Sequence, residues 1–224
     1  MPTTTNFGWT TPADTDLVKD GAAAIRTLAG NIDTSLVDLK GGTTGQFLSK
    51  NSNTDLDFVF ATPASGGMTL ISTTTLTGAS IVLSSIPATY NSLYVVVKNY
   101  LPATDTDNLQ MRVNGDANTR YAEFTTFGLN AAVTYSLAQV RITPANDNAV
   151  SQNLSTIEIF DYTNTTTWKM WRTTSISNDP TTTTSVRSNM NYAAYNQTGA
   201  INSLTFLSNS GNLTSGTVLL YGVK

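Results

Sequence analysis

The 224-residue chain contains no cysteine and no histidine. Without cysteine there is no disulfide, no thiolate metal site and no thiol nucleophile. Without histidine, the commonest general base and the commonest metal ligand are both missing. Charge is scarce as well, at 12% of residues against roughly 25% in ordinary soluble domains. The net charge of −3 and the pI near 4.7 offer no basic footprint for nucleic acid. From Phe58 to Val97 there is no charged residue at all. Long apolar runs are also lacking: the longest, Leu93–Val97, falls far short of the ~20 residues of a membrane span. Met1–Asp16 has neither the basic nor the apolar region of a secretory signal, so synthesis in a cytoplasm is expected. These absences exclude most hydrolase designs, nucleic-acid binding and membrane insertion.

Short polar side chains fill the space instead: 40 Thr, 20 Ser and 21 Asn. Thr suits a pleated surface, and Ser and Asn suit turns, so a mainly β protein is expected. One helix interrupts that texture, over residues 12–40. Thr11 is placed to cap it, with Pro12 at the first helical position and Asp14 three residues after the cap. Lys40 followed by Gly41 and Gly42 marks its stop. Val18, Ile25, Ile32 and Leu39 recur every seven residues, with Leu28 at an intervening d position. That is a heptad seam, and Ile at a favours more than two strands, which predicts a short trimeric coiled coil. The alternative is a helix laid on the domain that follows.

Around this helix the chain divides into four parts. Residues 1–11 form an irregular arm carrying Phe7 and Trp9. Residues 41–67 predict a β-hairpin, Gln46–Lys50 against Leu56–Phe60, followed by a Gly/Ser/Pro linker. A two-stranded hairpin is barely stable alone, so it needs partner chains or the next domain. Residues 68–224 carry about eleven short apolar and β-branched runs separated by turn signals, which predicts an antiparallel β-sandwich of jelly-roll type coated with hydroxyls.

Candidate chemistry is thin. Glu123, Glu158 and Asp161 are the only acids inside the predicted strands, and Glu158 and Asp161 point to opposite faces of one strand. No pair is spaced for glycoside hydrolysis, so no catalytic residue and no enzyme activity is expected. Asp105, Asp107, Asp116 and Asp147 lie in turns that could hold Ca²⁺, but such residues usually bond their own backbone; no metal and no cofactor are expected. Trp168 and Met170 share one strand face, and Trp171 shares the other with Lys169. Either one tryptophan is core and one surface, or Trp171 with Tyr195 forms a stacking platform for a sugar ring.

Residues 7–29 (FGWTTPADTDLVKDGAAAIRTLA) and 45–60 (GQFLSKNSNTDLDFVF) resemble the N-terminal regions of tailed-bacteriophage virion fibre and minor tail proteins. The resemblance covers about the first 60 residues; beyond it the chain is similar only in style. It implies a homotrimer anchored to the virion through its N-terminus, with Phe7 and Trp9 in the anchoring arm. Its β domain would project outward to bind host-surface glycan. The expected partners are other copies, a tail adaptor or another virion protein, and host glycan. A capsid decoration or head-fibre protein fits the same architecture, and a carbohydrate-active enzyme or free lectin-like module is a reading of a different class.

Overall fold

All residues are described in the computed structural model except Ser65, Gly128 and Leu129, and the chain divides into two compact units, 1–65 and 66–224. In the first unit the arm closes into a small loop. The Thr4 and Thr11 amides donate to the carbonyls of Trp9 and Pro2, both at 2.8 Å, and Thr3 bridges Thr10. Helix α1 spans Val18–Leu36 and ends in a 3-10 turn, Val37–Leu39.

The helix therefore starts six residues later than the Thr11–Pro12 signal predicts, because that signal is spent elsewhere. The Thr11 amide and hydroxyl both donate to the Pro2 carbonyl. Asp16 accepts the Ala13 amide at 2.7 Å, closing a separate turn before the helix. Leu17 stands at the N-cap position without a side-chain bond, and only Asp20 remains in the first turn. Past the helix, Phe47–Lys50 (β1) and Phe58–Ala61 (β2) pair antiparallel, with Lys50 opposite Phe58. Asp57 accepts from Asn51 and Ser52 in the connecting turn, and these bonds hold its carboxyl below the usual range.

The second unit is mainly β. Its strands are β3 (Met68–Thr75), β4 (Ser80–Leu83), β5 (Ser92–Pro102), β6 (Leu109–Val113), β7 (Tyr121–Phe127) and β8 (Asn130–Leu137). They continue as β9 (Val140–Arg141), β10 (Asn153–Phe160), β11 (Lys169–Asp179), β12 (Thr182–Tyr195), β13 (Leu204–Ser208) and β14 (Leu213–Val223). An eight-stranded sheet runs β3-β14-β5-β10-β11-β12-β7-β8, and a four-stranded sheet runs β4-β13-β6-β9. Neighbouring strands are antiparallel throughout both. Ser136, near the end of β8, takes a positive φ of 57°; β8 stays in the large sheet through Leu137, and β9 joins the small one.

One hydrophobic core collects the inner faces of both sheets, as in a β-sandwich. Val95, Val97, Ile157, Ile159, Val218 and Leu220 come from the large sheet; Leu83, Met111, Val113, Leu204 and Phe206 come from the small one. Strict alternation delivers them. In β6, for example, Leu109, Met111 and Val113 are buried while Gln110 and Arg112 between them are not.

Four buried phenols tie this core to its loops: Tyr162 donates to the Pro87 carbonyl, and three others bond nearer the β6 and β13 strands. Tyr100 bonds Ser208 at 2.8 Å, Tyr121 donates to the Val113 and Asp116 carbonyls, and Tyr195 donates to Asp116 at 2.7 Å. Burial raises all three above the ordinary tyrosine value, Tyr195 to about 12. The folded state therefore keeps these protons at a pH where the unfolded chain, titrating near 10, releases them. Their contribution to stability is complete below pH ~10 and falls as pH rises from there through the folded values. Alkaline titration is expected to ionise these three phenols, with the buried Tyr162, in one step that coincides with loss of the β-sheet circular dichroism signal. Smooth ionisation of all nine tyrosines with the sheet intact would contradict this.

Candidate functional site

Trp171 and Tyr195 are core residues, 3% and 5% exposed, so the sugar platform expected of them is not available. Tyr121 packs between them, edge-on to Trp171 at 6.5 Å and stacked on Tyr195 at 4.8 Å. Alternation along β11 follows the expected parity, and of the two alternatives the first holds: one tryptophan is core and one is surface. Lys169 shares the inward face although it is charged, because its ammonium donates to the Thr167 and Thr198 carbonyls at 2.9 and 3.0 Å. Burial lowers its pKa, against a smaller opposing effect from Asp161. The exposed tryptophan is Trp168, at 55%.

Trp168 and Tyr135 line a pocket of about 190 Å³ with Arg120, Ser136, Asn196, Ala122 and Ala194. It sits where β7 and β11 begin and β8 and β12 end. Aromatic rings together with amide, hydroxyl and guanidinium groups can hold one small polar ring.

The carboxylates are occupied structurally. Glu158, on the outward face of β10, meets Arg172 at 2.8 Å across the strand pair. Glu123 accepts the Arg141 amide at 2.9 Å and the Asn191 side chain at 3.1 Å. Asp161 lies just past β10 and accepts from Asn164. Asp107, 4% exposed, accepts from the Asn108 and Ser210 amides and the Ser208 hydroxyl, locking two loops. Asp116 and Asp147 close their own turns through Asn118 and Ala149.

In the first unit Phe7 stacks on Trp9 at 4.8 Å, and the Trp9 indole donates to Ser35 of α1 at 3.0 Å. Trp9 is thus held within the unit, and Phe7, 51% exposed, is the more available ring. Of the seam positions, Val18, Ile25 and Leu39 are 97%, 62% and 47% exposed, while Leu28 and Ile32 are half-buried. Not one described residue of 1–64 is buried.

A further groove lies on the outward face of the eight-stranded sheet. About 400 Å³ in volume, it is lined by Phe124, Val133, Phe160, Met170, Tyr192 and their neighbours. Pairing puts them in rows: Phe160 beside Met170 beside Ala194, and Phe124 beside Tyr192 beside Arg172. Sequence reasoning missed this face, because an apolar residue at every second position reads by default as core-facing. The signal that could have revealed it is the company these residues keep: the alternate positions carry Thr, Ser and Asn. No family model matches the chain, and neither a curated protein nor a solved structure matches it.

Proposed function

We propose that this chain is a non-enzymatic fibre protein of a tailed-bacteriophage virion, working as a homotrimer. The observation that supports it most is the first unit. Residues 1–65 are compact, carry the fibre-like segments, and yet bury no described residue. A unit of that size without a core is not stable by itself, and the seven-residue apolar seam along α1 supplies the surface for copies to meet. The arm of residues 1–11, which carries Phe7 and Trp9, serves as the virion anchor.

The strand order supports a jelly roll for the projecting domain. The series β3-β14-β5-β10 opposite β4-β13-β6-β9 is the eight-stranded jelly-roll order, and the β7–β8 and β11–β12 hairpins are additions that widen one sheet. Host attachment falls to the Trp168 and Tyr135 pocket, in place of Trp171 and Tyr195. Few charges surround it, so each contact is weak and three copies act by avidity.

Deleting residues 2–11 tests the reading. The shortened chain is expected to remain a soluble trimer and to compete with phage for adsorption to host cells. It should be missing from assembled particles, where imaging of the labelled full chain shows tail or head placement. Normal incorporation of the shortened chain overturns the anchor, and a monomeric full chain overturns the fibre.

A further inference from the structure

Along β7, β11 and β12 the inward face is apolar at Tyr121, Trp171, Ala193 and Tyr195, but over the rest of these strands the usual polarity of a sandwich sheet is reversed. Thr125, Thr173, Ser175, Asn189 and Asn191 point inward and are buried. At alternate positions on the same strands, Phe124, Met170, Ile176, Met190 and Tyr192 point outward, between 38% and 60% exposed. Burying hydroxyls and amides while leaving large apolar side chains in water is unfavourable on both counts. The pattern becomes favourable when something covers the outward face. We infer that the outward face of the eight-stranded sheet is an interface between copies of this chain, so that the β domains join the helix in holding the oligomer. This rests on the self-association proposed above.

Three observations select a second copy as the occupant. The first is size: with Phe160, Leu154 and Val133, the apolar side chains of this face expose on the order of 700 Å², near the ~800 Å² per partner of a stable interface and above what monomers usually leave bare. The second is charge. Arg172 and Glu158 neutralise each other near the middle of the face, at 2.8 Å, so the patch complements another neutral apolar surface and offers little to a charged partner. The third is tethering. Residues 62–67 join β2 to β3, and six residues span about 20 Å at most. Chains gathered by their helices therefore hold their β domains at high effective concentration, where a modest contact suffices.

The absence of native cysteine allows a direct test on the full chain. Thr174→Cys places one thiol between Met190 and Thr156 in the centre of the face, and Ser80→Cys places one on exposed β4 of the small sheet. Light scattering gives the mass of each variant, and a bulky maleimide gives the thiol reaction rate before and after denaturation. The expected result is a trimer in which Thr174→Cys reacts at least about tenfold more slowly than Ser80→Cys, with equal rates once unfolded. A trimer with equal native rates overturns the interface and leaves the trimer standing. A monomer overturns both. Protection of Thr174→Cys that appears only when other virion proteins or host cells are added assigns the face to them and overturns the inference.

Discussion

A chain carrying both Ile25→Asp and Ile32→Asp is expected to lose trimeric assembly through its N-terminal unit while its β domain stays folded. In a three-stranded seam the two substitutions introduce six carboxylates. Each one taken from water without a partner costs several kcal/mol, more than a short helix with Gly21 and Gly30 can supply. In the single chain the same changes cost little, since Ile25 is 62% exposed and Ile32 only half-buried. Thr27→Asp with Gly30→Asp is the control: both positions are exposed and lie off the seam, so assembly should persist. Mass by light scattering with near-ultraviolet circular dichroism reads both effects. Helix association unchanged in the double variant would remove the seam.

The second large effect separates two tryptophans three residues apart. Trp171→Ala is expected to destabilise the β domain by about 3–5 kcal/mol, a large part of the 5–15 kcal/mol of a typical domain. The cost is one of packing: the indole is 3% exposed against Tyr121, and its Nε1 has no hydrogen-bond partner among the described residues. Trp168→Ala should shift stability by no more than about 0.5 kcal/mol, since the side chain is 55% exposed. Its effect belongs to attachment, which should fall about tenfold if the ring carries a contact made by all three copies. Urea midpoints and cell-binding assays on the two variants give the comparison. A stable Trp171→Ala would contradict its place in the core, and unchanged binding by Trp168→Ala would remove the pocket from host attachment.

Much of the architecture is legible in residue order, because it depends on local pattern. Thr-rich alternating runs bounded by Asn-Gly and Asn-Asp turns announce strands, and the one stretch with helical caps and heptads contains the one α-helix among the described residues. Boundaries are less legible where a residue has two possible partners. Thr11 suits a helix cap, but the Pro2 carbonyl, nine residues away in sequence, takes its hydroxyl and amide. Ser136 looks like an ordinary strand residue, yet its backbone is left-handed near the end of β8, where the register with β7 shifts.

The candidate site was legible only in part, for a related reason. Period two establishes which residues share a face: Trp168 with Met170, and Lys169 with Trp171. It carries no sign, because reversing a strand between its two sides leaves the alternation untouched. In ordinary strands hydrophobicity supplies that sign; here Lys169 lies inside on two carbonyls, while Met170 and Tyr192 lie outside. Strand identity, the lack of thiol and imidazole chemistry, and the apolar seam were determined by the sequence itself. Which face of β11 and β12 meets the core was decided by tertiary structure alone, since it depends on carbonyls and neighbouring strands that the chain brings together only on folding.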